Sequence, residues 1–314
     1  MEIKLIHKLN KIKQNFSFIS EGLNKELGLK EIPLSELRSR YESVHSRYAM
    51  IQGMNVHFTD QGHGQVIVLL HGILSSLHTW EAWAEYLKKD YRVISIDLPG
   101  FGLTGPHPQK KYHPDDYVEF LSEFIQHLDI HDFHLAGNSM GGLIAWLFTR
   151  KFPNKIGKLI LLNPGAYHFK PSKILKHILD SKLLILAKLT APRILFNLGL
   201  KDVYSNKQRI TPEISRRYHE LFLREGNREA MLELAKILTE INLKDELKKQ
   251  IKYIKNPILL QWGTDDKWLP STQINKWEND AKNITVIKYA GVGHIPMEET
   301  PKMTVIDAKS FIDQ

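Results

Sequence analysis

Short, uninterrupted apolar runs alternate with amphipathic stretches of helical length along most of this chain, and that alternation limits the fold more than any other feature. Gln65 to Leu70, Tyr91 to Ile96, Phe133 to Ala136, Lys158 to Leu162 and Pro257 to Trp262 are such runs, followed by Ile284 to Tyr289. A strand apolar at successive positions is one covered on both faces. The stretches between them read as helices over Thr79 to Lys89, Asp115 to Leu128, Met140 to Lys151 and Ser271 to Ala281, with Pro301 to Phe311 closing the chain. Strand–helix alternation of this kind predicts an α/β protein with a mostly parallel, doubly wound sheet. Ahead of it, Met50 to Ile51 and Met54 to Phe58 flank Gln52-Gly53, the signature of a hairpin.

The rhythm breaks once. Residues 165–256 read as helices around 172–188, 192–200, 212–225, 227–240 and 244–254, with no strand among them. The chain of 314 residues therefore divides into a helical N-terminal extension (1–45), an α/β core (46–164 and 257–314) and a helical insertion (165–256). Charge follows the same division. The insertion holds 19 Lys+Arg against 10 Asp+Glu and residues 1–30 hold 6 against 3, whereas the remainder holds 18 against 22. The basic character thus belongs to two segments, which suits either a solvated lysine-rich surface or contact with an anionic partner.

In the extension, Leu5, Leu9, Ile12, Phe16, Ile19 and Leu23 recur at helical spacing, with Lys4, Lys8, Lys11 and Lys13 beside or opposite them. The stripe suits an in-plane membrane helix or a helix packed on its own body or on a sister subunit, and it leaves the oligomeric state open. Lysine interrupts every apolar run, so no secretory h-region is expected, and no run reaches the ~18 residues of a spanning helix. A cytoplasmic location with peripheral membrane contact through residues 1–30 is the expectation. Cysteine is absent, which removes disulfides, thiol nucleophiles and thiolate metal sites.

The chemistry gathers at predicted strand ends. Gly137-Asn138-Ser139-Met140-Gly141 lies between a strand and a helix, where small residues two positions either side permit the tight turn that exposes a nucleophilic serine. The motif alone occurs by chance in roughly one such chain in ten; its placement makes it informative. A protonated hydroxyl needs a base. His294, in Gly291-Val292-Gly293-His294-Ile295-Pro296 after the last strand, is the candidate. An orienting acid is expected between the two, and Gly263-Thr264-Asp265-Asp266 offers two choices that spacing does not separate. The other strand-end position, Asn163, cannot ionise, and the role needs a charge. Oxyanion donors would be the backbone N–H groups of Met140, after the nucleophile, and of Ile73, in the loop His71-Gly72-Ile73-Leu74.

Together these residues resemble the α/β-hydrolase superfamily from about Met54 onward: His71-Gly72, Asp97-Leu98-Pro99-Gly100-Phe101-Gly102, Gly137 to Gly142, Gly263 to Asp266, and Gly293 to Pro296 with Glu299 and Pro301, in that order. The resemblance implies the α/β-hydrolase fold, selects Asp266 over Asp265 as the acid, and makes residues 165–256 a cap over the site. Dehalogenases and epoxide hydrolases of this superfamily use an aspartate where this chain has Ser139. Meta-cleavage C–C hydrolases share the Gly-Asn-Ser-Met-Gly-Gly elbow, but usually follow the first His-Gly with a Gly/Pro-rich loop, which here reads Ile73-Leu74-Ser75-Ser76-Leu77. The stretch Leu34 to Asp60 is similar to bacterial lipase- or esterase-like members.

The expected function is carboxylic-ester hydrolysis through an acyl-enzyme on Ser139, with a small-molecule ester as partner and no metal or cofactor required. C–C hydrolysis is the same-class alternative. A hydrolase fold kept as a binding module would be expected to have lost parts of the triad, and all of them are present. Nucleic-acid binding has no recognisable motif.

Overall fold

The structure is a computed structural model and describes residues 22–168, 190–242 and 247–314. Eight strands form one sheet: β1 (Ser46–Ile51), β2 (Met54–Gln61), β3 (Val66–Leu70), β4 (Arg92–Ile96), β5 (Phe133–Asn138), β6 (Ile156–Leu162), β7 (Ile258–Gly263) and β8 (Ile284–Tyr289). Their order is β1-β2-β4-β3-β5-β6-β7-β8. From β4 to β8 all neighbours are parallel, while β1–β2 and β2–β4 are antiparallel. The hairpin turns on Gln52 and Gly53, both at positive φ (51° and 79°). That geometry matches the twist of the flanking strands.

Period-two alternation sends the apolar runs to two cores. Val68, Leu70, Leu159, Leu161 and Leu260 face one side, and Ile67, Leu69, Ile160, Leu162 and Leu259 the other. The first core is filled from α3 (Pro114–His127), α4 (Met140–Lys151) and α8 (Gln273–Asp280), with Phe124, Trp146 and Trp277 buried in it. The second is filled from α2 (Glu81–Leu87) and α9 (Pro301–Ile312), which bring Trp83 and Val305. The expected doubly wound core is therefore present, with strand and helix ends moved by a few residues. The stretch expected as a helix from Thr79 begins as a 3-10 turn over Leu77–Trp80.

Between β6 and β7 the chain forms α5 (Arg193–Val203), α6 (Pro212–Phe222), α7 (Asn227–Asn242) and a 3-10 turn (Leu247–Tyr253). The helix expected around 172–188 lies outside the described residues. Thr211 caps α6 by accepting the Ile214 N–H, with Pro212 at the first helical position. These helices lie over the C-terminal ends of the strands. Val203 O accepts the His294 N–H at 2.7 Å, and Asn227 Nδ2 donates to Gly102 O at 3.3 Å.

Most of the stripe expected in the N-terminal extension also lies outside the described residues. From Gly22 the chain is helical for one turn. It then extends so that Ile32 N donates to Leu223 O (2.7 Å) and Ile32 O accepts from Glu225 N (3.2 Å). It continues into α1 (Leu34–Tyr41). Arg40 and Tyr41 both reach Glu220 of α6, at 2.8 and 2.7 Å. Ile32, Leu37, Leu103, Ala191, Leu221 and Leu223 form a small third core beneath this lacing. The extension is thus attached chiefly to the insertion. Among the described residues no helix is long and apolar enough to cross a membrane.

Candidate active site

Ser139 stands between β5 and α4 with φ 54° and ψ −114°, a region costly for any residue with a side chain. The turn is tight enough that a Cβ on Gly137 would come 2.3 Å from Gly141 O, and one on Gly141 2.3 Å from Leu70 O. Small residues at these two places are therefore a steric requirement. The strained turn is held by Ser139 N donating to Leu162 O and by Ser139 O accepting from Leu143 N and Gly165 N.

The structure brings Ser139, His294 and Asp266 together. Ser139 Oγ lies 2.9 Å from His294 Nε2, and His294 Nδ1 lies 2.7 Å from Asp266 Oδ2. All three are buried. Asp266 Oδ1 accepts the N–H groups of Trp268 (2.7 Å) and Leu269 (2.9 Å), which leaves Oδ2 for the imidazole. Asp265 points elsewhere and is held by Ser205 and Thr264 at 3.1 Å each. Geometry therefore separates the two aspartates that spacing could not.

Several supporting roles escaped the sequence reading, although Asn138 and Glu299 stand in its motifs. Asn163, considered there only as a failed acid, donates Nδ2 to Asp266 Oδ2 at 2.7 Å and accepts Gly263 N–H at 3.0 Å. Asn138 donates to both Leu162 O and His294 O at 3.0 Å, tying the Ser139 turn to the histidine loop. Glu299 accepts Gly293 N–H (2.8 Å), Ser205 N–H (3.1 Å) and Asn206 N–H (2.5 Å), which joins that loop to the end of α5. The signal for Asn163 was its place at a strand end beside the site; that its partner would be Asp266 needed coordinates.

The loop after β3 approaches Ser139 closely, since a Cβ on Gly72 would lie 3.1 Å from Ser139 Cβ. His71 accepts Leu98 N–H on Nε2 (3.0 Å), so its proton sits on Nδ1, which donates to Gly72 O at 2.7 Å. Because a trans peptide is planar, fixing the Gly72 carbonyl toward the ring turns the Ile73 N–H away from it. Complete burial pushes the His71 pKa down and favours this neutral form. Met140 is the first residue of α4, so its N–H has no acceptor within the helix.

A second chain of the same groups runs under the sheet edge. Ser46 Oγ lies 2.9 Å from His57 Nε2, and His57 Nδ1 lies 2.7 Å from Asp97 Oδ2. No motif announced it. Burial alone would push Asp97 up, but the hydrogen bond and charge of His57, with His78 and His71 nearby, hold it well below the usual carboxylate range. Asp97 also accepts Leu77 N–H and Leu103 N–H, at 2.8 and 2.9 Å.

Next to the Gly72 loop a narrow, partly open cleft runs between the sheet and the insertion, with Leu74, Phe101, Leu221, Phe222 and Met231 in its walls and Ser75 and Asn227 among its polar members. Among the described residues no cluster of His, Asp and Glu is arranged to hold a metal ion.

Comparison with known proteins agrees with this architecture. The family model for the alpha/beta hydrolase fold matches residues 65–301. The uncharacterized hydrolase YugF of Bacillus subtilis (strain 168) is 28% identical over 268 residues, covering 83% of this chain and 96% of that protein. The 2-hydroxy-6-oxononadienedioate/2-hydroxy-6-oxononatrienedioate hydrolase of Escherichia coli (strain K12) is 33% identical over 134 residues, 40% of this chain and 46% of that enzyme. The crystal structure of a membrane phospholipase A, a bacterial virulence factor, superposes with a TM-score of 0.74 over 99% of this chain and 97% of its own, at 24% identity, a likeness of fold. With the matched span covering β3 to β8, the strand-end loops and the insertion, the chain belongs to the α/β-hydrolase family and is a hydrolase of that fold.

Proposed function

We propose that this protein is a carboxylic-ester hydrolase with Ser139 as nucleophile, His294 as base and Asp266 as its orienting acid. The observation that carries the reading is the continuous 2.9 and 2.7 Å relay from a serine on a strained strand-to-helix turn to a buried carboxylate. Ser139 Oγ attacks the ester carbonyl while His294 Nε2 takes its proton. The Ile73 and Met140 N–H groups receive the developing oxyanion. His294 then protonates the departing alcohol. Water, activated by the same imidazole, releases the acid and restores the serine. Asp266 keeps the proton of the resting imidazole on Nδ1 and stabilises the imidazolium. Asn163, through Asp266, is a positioning residue.

The insertion serves as the cap of this site. The apolar lining of the adjacent cleft, led by Leu74, Phe101, Leu221 and Met231, supports an aliphatic acyl ester over a highly charged substrate. Hydrolysis of nitrophenyl esters of two to sixteen acyl carbons tests the reading. Activity is expected to fall ~10³-fold or more in Ser139→Ala, with a chain-length optimum that measures the acyl room beneath the insertion. Full activity in the mutant would refute the assignment. The partial match to an Escherichia coli enzyme named for a dienedioate favours C–C hydrolysis as the second reading. Turnover of a ring-fission product, with silence across the ester series, would select it.

A further inference from the structure

Exposed apolar side chains are unevenly distributed on this protein. Of the eleven large ones exposed among the described residues, six sit at the junction of the N-terminal segment and α5: Leu23, Leu27, Leu29, Ile194, Leu195 and Leu198. The two sets belong to one place. Ala191 N–H and Thr190 Oγ1 donate to Leu27 O at 3.1 and 2.8 Å, and Arg193 pairs with Glu26 at 2.9 Å. Ile194, Leu195 and Leu198, exposed by 67%, 58% and 46%, share one face of α5 through i,i+3 and i,i+4 spacing. The other side of that helix sends Leu200 and Val203 into the core. The helix is therefore apolar well beyond what its own packing uses.

We propose that this junction is a docking face for an anionic lipid bilayer. Its charge argues for that occupant over a second copy of the chain. The two stretches that build it, residues 22–30 and 190–203, hold Lys25, Lys30, Arg193 and Lys201 against Glu26 and Asp202. Two copies meeting through this face would bring like charge together, whereas an anionic surface complements it. Exposed Lys201 falls seven residues after Ile194, on the same stripe, and exposed Lys30 follows Leu29. Both side chains can keep their ammonium among headgroups while their stems cover apolar surface. Of the two acids there, Glu26 is paired with Arg193, and Asp202 accepts the Trp268 Nε1–H at 2.9 Å. An apolar face rimmed by cations is the pattern of interfacial binding.

The face also has a mechanical route to the site. α5 leads from Ile194 to Val203, whose carbonyl accepts the His294 N–H, a span of roughly 14 Å at helical rise. Docking would thus hold the membrane at one end of the helix that braces the histidine loop at the other. The binding proposal does not depend on which bond the enzyme cleaves.

The test is flotation of the full chain with vesicles of phosphatidylcholine alone or mixed with phosphatidylglycerol, at low and high salt. Wild type is expected to float with the anionic vesicles at low salt and to be released by salt. Ile194→Glu/Leu198→Glu is expected to lose at least about tenfold in bound fraction, since each leucine-sized side chain buried in the interface contributes about that factor. Lys201→Glu/Lys30→Glu, which leaves the apolar face intact, should weaken binding to anionic vesicles only. Absence of wild-type flotation, or unchanged flotation in both variants, overturns the proposal. So does a change of the glutamate variant from dimer to monomer in sedimentation, or a marked fall in its melting temperature; either shows that protein covers the face.

Discussion

Two Ser–His–Asp chains occupy this molecule, with the same 2.9 and 2.7 Å spacings. Ser139 sits on a strained turn at a helix N-terminus, beside a loop whose peptide is aimed by His71. Ser46 sits on the edge strand β1, where its hydroxyl already accepts the Ser43 N–H at 3.0 Å. Asp266 uses its second oxygen to fix its own loop, whereas Asp97 uses its remaining acceptor sites to tie together two loops, at Leu77 and Leu103. The hydrogen-bonded trio is therefore a reusable structural part. What distinguishes a nucleophile is the turn that presents it and the N–H donors that await the charge.

Substitution can break or sharpen this contrast. The largest difference is expected between the serines. Ser139→Ala should lose ~10³-fold or more in turnover, while Ser46→Ala should leave turnover within about twofold and cost roughly 1 kcal/mol of stability. Equal losses in the two mutants would make the chains equivalent and defeat the distinction.

The aspartates should separate in the opposite sense. Asp266→Asn is expected to lower kcat by about 10³–10⁴-fold with the melting temperature little changed. Asp97→Ala removes a fully buried partner of His57 and two N–H groups, and should cost about 3–5 kcal/mol in denaturant unfolding. Its remaining folded fraction should keep most of its activity per molecule. Asn163→Ala withdraws one hydrogen bond from the catalytic-side carboxylate, which predicts about a tenfold fall in kcat, in line with a bond to a charged group. KM should stay nearly constant, a split that general loosening would not produce.

The smallest expected effect is on pH dependence. Burial lowers the pKa values of His71 and His78, which lie near Asp97. Unfolding releases both rings to the ordinary value of about 6.5. The unfolded chain then binds more protons below that pH, so stability present above it declines as pH falls. Asp97, held low, withdraws its own contribution only at still lower pH, below about 3.9. Denaturant midpoints measured from pH 8 to pH 5 should therefore drop on the acid side, and less so in His78→Gln. A flat profile would remove these histidines from the account.

The sheet was legible because strands covered on both faces leave an unmistakable mark, consecutive apolar residues bounded by turns. Ser139 and His294 were legible because each sits in a glycine-bearing turn at a strand end. Asp266 needed either family resemblance or coordinates, since Asp265 differs from it only in where the loop points the side chain. Asn163 and the Ser46–His57–Asp97 chain were not legible. Their partners come from segments joined only by strand order, and β2 meets β4 across an intervening strand of sequence. The apolar face at Ile194 was hidden for another reason: helical periodicity shows which stripe is apolar, and only packing shows whether anything covers it.

Ser139 and His294 are separated by 155 positions, with the whole insertion between them. A chain emerging from the ribosome would expose Ser139 long before His294, its proposed base, exists. Until the last strand and its loop are in place, Ser139 is an ordinary alcohol. Proteolysis between the two residues would likewise leave a well-packed β5 turn with no chemistry unless the halves stayed together. On the proposed chemistry, the order of the parts along the polymer makes activity a report that synthesis has passed the histidine loop, the last of the three parts to arrive.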